Sequence, residues 1–133
     1  MKRNIEQALQ EGVAAHKRGD LQGAERQYRA ILQSQPKHPE ANHNLGVLAV
    51  SIDQIASALP FLKNAVEACP QIEQFWVSYA GALIKDDQLH AAEEAIQEAV
   101  AQGFSEKKIR ASLIAHTEHE VPPRGQLDAL LEH

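Results

Sequence analysis

The residues with the most evident chemical potential stand near the C-terminal end, where His116, Glu118, His119 and Glu120 follow one another closely. Two histidines three apart on a helix lie on one face and can share a metal ion. Zinc needs more ligands than that, and no spacing in the chain brings others to the pair, so the cluster reads as the charged, solvated end of a helix. Cys69 is the single cysteine. It cannot form an internal disulfide, it lacks a nearby second ligand for a metal, and it reads as a buried spectator. No Ser-His-Asp order, phosphate-cradling glycine loop or pair of buried carboxylates presents itself. The expectation is a protein that is not an enzyme and uses no cofactor or metal.

The totals point the same way. A chain of 133 residues is one domain by length, large enough to bury roughly two thirds of the surface its unfolded form exposes. With 44% hydrophobic and 23% charged residues, the composition is that of a globular protein. Thirteen Lys and Arg against eighteen Asp and Glu leave a net charge of -5, and no basic run gathers on one segment, which argues against nucleic acid as a partner. Met1-Lys2-Arg3-Asn4-Ile5-Glu6 runs into polar, helix-like sequence with no long apolar stretch behind it, so no secretory signal is recognised. No window approaches the roughly 18 uninterrupted apolar residues of a membrane-spanning helix. These features predict a soluble, cytoplasmic protein with no membrane partner.

What must position any functional residue is a repeat. Copies starting at Ile5, Pro39 and Glu73 stand 34 residues apart and align Gly12, Gly46 and Ala80. Small side chains at that phase let two antiparallel helices approach closely. The same offset aligns Ala24, Ala58 and Ala92, then, four residues on, the larger Tyr28, Leu62 and Ile96. Leu21, Ile55 and Leu89, and Leu32, Val66 and Val100, supply further core-facing positions. Gly19-Asp20, Asp53-Gln54 and Asp87-Gln88 divide each copy in the middle, and Pro36, Pro70 and Gly103 end the three copies.

The pattern predicts helices at about 4–18, 21–34, 39–51, 55–69, 73–86, 89–102 and 105–119, and no strand. Pro60 falls inside the fourth, where the lost hydrogen bond predicts a kink. Trp76 is expected in the core between the second and third copies. Ser105 can cap the last helix, whose Ile109, Leu113 and Ile114 form one apolar stripe. That helix is expected to cover the open face of the third copy.

Trp76-x2-Tyr79-Ala80-x2-Leu83 with Ala92-x3-Ile96, Leu45-Gly46 with Ala58-x3-Leu62 and Pro70, and Gly12 with Ala24-x3-Tyr28 and Pro36 resemble the tetratricopeptide repeat (TPR) family. The resemblance covers about residues 5–106. Glu11 departs from the large apolar residue usual there, which an exposed outer face would explain. The resemblance implies an all-α, right-handed TPR solenoid of three helix-turn-helix repeats, about 5–38, 39–72 and 73–106, plus a C-terminal capping helix, the domain spanning 1–120. His38-Pro39-Glu40-Ala41-Asn42-His43-Asn44-Leu45-Gly46 is further similar to the TPR repeats attached to O-GlcNAc-transferase-like glycosyltransferases and related bacterial multi-domain enzymes.

In that family the first helices of successive repeats line a concave groove that holds a peptide or partner-protein segment. Carried over by position, the resemblance implies Leu9, Gln10, Val13 and Lys17 from the first repeat, and Glu40, His43, Asn44, Val47 and Val50 from the second. The third contributes Val77, Ser78, Ile84 and Lys85, while Glu6, Gln74, His16, Ser51 and Gly81 fall on the same face. The apolar members suit side chains of an extended peptide or one stripe of a helix, and Asn44 and Gln10 can pair with ligand amides. Asn44 is the residue expected to matter most, since its counterpart in the transferase-like repeats belongs to an asparagine ladder. Only one of Gln10, Asn44 and Ser78 is Asn here. The carboxylate clamp of chaperone-binding members is missing, its places being taken by Leu9, Val13, Gln74 and Ser78.

Val121-Pro122-Pro123-Arg124-Gly125 reads as a linker and Gln126 to Leu131 as the start of an unfinished helix. The chain therefore looks like an N-terminal fragment of a larger, bacterial-type protein, with Leu131-Glu132-His133 a possible tag remnant. A downstream glycosyltransferase would make it a substrate-selecting arm. Weak self-association through Leu127, Leu130 and Leu131 is the remaining alternative.

Overall fold

Six helices form where the repeat phase places small and large apolar residues on one stripe, and a seventh follows the third copy. In a computed structural model that describes residues 4–117, they are α1 (Ile5–Lys17), α2 (Leu21–Ser34), α3 (Pro39–Ser51), α4 (Ile55–Ala68), α5 (Glu73–Lys85), α6 (Leu89–Ala101) and α7 (Glu106–Thr117). All begin or end within two residues of the positions read from sequence. There is no strand among the described residues. The linker, the unfinished helix, Glu118, His119 and Glu120 lie outside them. The chain divides into two compact units, Met1–Cys69 and Pro70–His133, and each is described by itself.

Local chemistry starts several of these helices. Asn4 and Gln7 form a capping box, with Gln7 N–H donating to Asn4 Oδ1 at 2.7 Å and Asn4 N–H to Gln7 Oε1 at 3.3 Å. Asp20 accepts from Gly23 N–H at 3.0 Å, His38 Nδ1 from Ala41 N–H at 3.1 Å, and Ser105 Oγ from Lys108 N–H at 3.2 Å. Each thereby satisfies a backbone donor that the first turn leaves orphaned.

The helices stop by one geometry repeated with the sequence period. Gly19, Asp53 and Asp87 all take the left-handed conformation, at φ 85°, 62° and 61°. The next amide then bonds back five residues, Asp20 to Ala15, Gln54 to Ala49 and Gln88 to Leu83, each at 2.8 Å. This satisfies a carbonyl at the helix end and turns the chain toward the second helix of the pair. Gly103 at φ 106° ends α6 in the same manner. Aspartate tolerates this region better than most residues, because its short side chain is polar and uncrowded.

In unit 1, α1 packs on α2, α3 on α4, and α2 and α1 on α3. The pairs interlock where the sequence omits a side chain. A Cβ on Gly12 would lie 2.5 Å from the Tyr28 ring, and one on Gly46 would lie 2.6 Å from Leu62. Tyr28 and Leu62 are fully buried in the room so provided. Glu11 is exposed, as an outer face requires. α4 continues through Pro60, which is exposed along with Ala56, the residue whose carbonyl loses its helical partner, so water can serve that carbonyl. Cys69 is half-buried rather than buried, because it is the C-cap residue of α4 and has left the packed stripe.

Asn42 carries a role the sequence did not announce. It is 1% exposed, donates to the carbonyls of Pro36 at 3.0 Å and His38 at 2.9 Å, and accepts from Asn64 at 3.3 Å. One repeat later, in unit 2, Trp76 occupies the same phase, and its Nε1–H donates to the carbonyl of Pro70 at 2.7 Å. Two chemically unlike side chains thus hold the same carbonyl, that of the proline that ends the preceding repeat. Trp76 is buried.

Unit 2 packs α5 on α6 and lays α7 against both, with Ile109 and Leu113 buried and Ile114 half-buried. Arg110, 7% exposed, clamps α7 to α6 through a two-pronged bond to Glu93 at 2.7 and 2.8 Å and a third bond to Glu106 at 3.1 Å. Hydrogen bonding from Gln97 and Arg110 holds the Glu106 carboxyl below its usual range.

Two stability outcomes are expected. Gly46→Leu overpacks the α3/α4 pair and lowers unfolding free energy in urea by about 1–3 kcal/mol. Trp76→Ala costs on the order of 3–5 kcal/mol, whereas Trp76→Phe keeps a smaller aromatic ring and loses about 1–3 kcal/mol, chiefly by removing the donor to the Pro70 carbonyl. A loss under about 1 kcal/mol for Trp76→Ala would contradict the burial that the repeat phase imposes.

Candidate functional site

A helix that buries one stripe against its partner leaves the opposite stripe to face outward, and in unit 1 the outward stripes of α1 and α3 meet. Their meeting forms a hollow of about 280 Å³ lined by Val13, His16 and Lys17 from α1, Tyr28 from α2, and His43, Asn44 and Val47 from α3. Five of the residues expected to bind a guest, Val13, Lys17, His43, Asn44 and Val47, come together here. Gln10 and Glu40 are exposed and Val50 is half-buried. Leu9 is half-buried and packs against the apolar clusters around Ala8, Ile31 and Ala41 and around Ala15, Ala24 and Tyr28. In unit 2, α5 buries Val77 and Ile84 at 4% and 1% exposure, while Ser78 and Lys85 are half-buried. Gln74 Nε2 donates to Ser78 Oγ at 3.2 Å.

Tyr28 is the residue that sequence reasoning placed only in the core. Its ring fills the space over Gly12, while its hydroxyl reaches Asn44 in the hollow. The signal was in the repeat: the equivalents Leu62 and Ile96 have no polar end, so of the three only Tyr28 brings a hydroxyl to the floor of the hollow. Asn44 is held on both sides, since His43 Nδ1–H also donates to its Oδ1 at 3.2 Å. An amide has two donor hydrogens and a carbonyl with two lone pairs, so these bonds orient Asn44 and leave capacity for a guest.

Burial sets the electrostatics of this trio. It raises the Tyr28 hydroxyl above its usual pKa, opposed by the Asn44 bond. It lowers that of His43, and the Asn44 bond and the Glu40 carboxylate act against the shift. His43 is therefore favoured as the neutral ring. Lys17 is exposed at the edge of the hollow and forms no ion pair among the described residues. His116 falls in the last turn of α7, and the described residues hold no group of three or more metal-ligating side chains. No helix among them is long and apolar enough to cross a membrane.

Helix hairpins recurring with the sequence period, two of them in unit 1 with a glycine where the helices cross, define the class as a helical-repeat protein. No family model and no curated protein matches the sequence. Solved structures do. A Thermobaculum terrenum O-GlcNAc transferase mutant is similar at a TM-score of 0.72 and 21% identity, over 99% of this chain and 26% of that one. The TPR2B domain of yeast Sti1, in a complex with pHsp70, is similar at 0.71 and 19%, over 87% and 98%. MamA from Desulfovibrio magneticus RS-1 is similar at 0.71 and 26%, over 97% and 73%. The fold is that of the tetratricopeptide repeat. The chain spans about a quarter of the length of the transferase it matches.

The lowered pKa of His43 gives a sign for pH dependence. The unfolded chain binds a proton near the ordinary histidine value and the folded chain only below it, so acidification through that window favours unfolding. Stability is therefore full above about pH 6.5 and declines as pH falls toward the folded value. Urea midpoints measured between neutral and mildly acidic pH are expected to fall more for the wild type than for His43→Gln; parallel curves would remove His43 as the cause.

Proposed function

We propose that the chain holds a segment of a partner protein against the outward stripes of its first helices, with the α1/α3 hollow as the anchor. The observation that carries this reading is that Val13 and Val47 stand beside an Asn44 oriented by His43 and beside the exposed Lys17 in one concave place. Apolar walls take a guest side chain, and Asn44, steadied by Tyr28 and His43, offers hydrogen bonds to the guest backbone. Gln10, Glu40 and Val50 extend the contact along α1 and α3. In unit 2, taken by itself, the same register on α5 leaves Ser78 and Lys85 half-buried and available to a guest, while Val77 and Ile84 are buried and take no part in this reading. The TPR2B domain bound to pHsp70 is a precedent for this fold receiving a protein ligand.

In this reading the partner is a protein or peptide, not nucleic acid or membrane. The chain works without catalysis or cofactor as the interaction module of a larger, bacterial, cytoplasmic protein. A second reading, an arm that selects substrate for an attached glycosyltransferase, draws support from the likeness to the Thermobaculum terrenum enzyme.

The test uses a partner captured from the source cells. Val47→Glu, which puts a charge into the hollow, is expected to weaken binding at least about tenfold, or 1.4 kcal/mol. Asn44→Ala removes about 0.5–1.5 kcal/mol of hydrogen bonding. Unchanged affinity in both, with helical circular dichroism intact, would move the binding face elsewhere.

A further inference from the structure

Unit 1 has a second hollow that contains no residue of α1. It measures about 460 Å³ and lies among α2, the end of α3, and α4. Leu45 and Leu48 are buried beneath it, Phe61 forms a half-buried wall, and Ile52 stands on its rim at 50% exposure. Ile52 is the C-cap of α3, and its backbone N–H donates to the carbonyl of Ala49 at 3.3 Å whatever its side chain is.

The repeat provides an internal comparison. Where the second copy has Ile52, the first has Arg18 and the third Asp86; where it has Phe61, the others have Gln27 and Ala95. The fold at this place is therefore made without an apolar cap and without an aromatic wall. Both the projecting apolar group and the aromatic wall beside it are peculiar to the second repeat, and a projecting isoleucine left half in water favours removal from it.

We propose that this face docks a second copy of the chain about a two-fold axis, each Ile52 entering the partner's hollow beside Phe61. A two-fold contact needs one patch that carries both the projection and the recess that receives it, and this patch has both side by side. Its charges fit the same symmetry. Arg29 pairs with Glu25 at 2.8 Å and lies 5.9 Å from the centre of the Phe61 ring. One cation and one anion on one face become complementary to themselves under two-fold rotation. The lining is thus neutral, and the chain's net charge of -5 is not concentrated where the two copies would meet. A strongly acidic or basic partner finds no net charge to read. This surface uses helices other than those of the peptide-binding reading and stands independently of it.

Sedimentation velocity on the protein from about 10 µM to about 1 mM spans the range in which so small an interface half-dissociates. The sedimentation coefficient is expected to rise with concentration for the wild type. Ile52→Arg, which installs the residue type the first repeat uses, is expected to stay monomeric across the range with unchanged helical signal and melting midpoint. If Ile52→Arg loses helical signal, Ile52→Ser is read in its place. A wild type that is monomeric throughout would overturn the proposal, and so would an Ile52 variant that associates as the wild type does, since the contact would then lie elsewhere.

Discussion

The rest of the structure depends on how near the backbones of two antiparallel helices can come. At Gly12 and Gly46 the absence of a Cβ leaves a gap that a side chain from the second helix fills, Tyr28 in one pair and Leu62 in the next. Widening that approach by a single methyl group would push the ring or the leucine out of its place. Everything built on unit 1 follows: the stripe of α1 that remains outward, the meeting of that stripe with α3, and the position of the Tyr28 hydroxyl against Asn44. The hollow is a by-product of how the core closes.

A second constraint acts between repeats. The carbonyls of Pro36 and Pro70 follow helix ends and have no helical partner. Asn42 answers the first and Trp76 the second, from the same phase. An amide does this with little bulk and recruits Asn64 to satisfy its own oxygen; an indole does it with a large apolar body that also fills the core of unit 2. The interaction is preserved while the chemistry differs, so a comparison of residue types alone would not pair the two.

Helix positions were legible because the determinants are local and periodic. Small residues at one phase, left-handed turns at Gly19, Asp53 and Asp87, and prolines past the helix ends each speak within a few residues. Other features depended on side-chain reach. Nothing in spacing shows that His38 caps α3, that Arg110 grips Glu93 seventeen residues away, or that Asn44 is hydrogen-bonded to a core tyrosine. For the candidate site, register selected the face, and five expected residues do share one hollow. Register could not say that Leu9 leans into the apolar clusters or that α5 buries Val77 and Ile84, because burial is decided by what packs against a helix, not by phase on it.

The burial of Trp76 has a spectroscopic consequence. It is the only indole in the chain, and it sits in unit 2, donating to a backbone carbonyl in a dry setting. Its emission therefore watches one half of the molecule, while circular dichroism averages over every helix in the chain. In repeat proteins, where each element leans mainly on its neighbours, the two signals need not lose intensity at the same denaturant concentration. Their separation or coincidence measures how tightly the fraying of one half is coupled to the other.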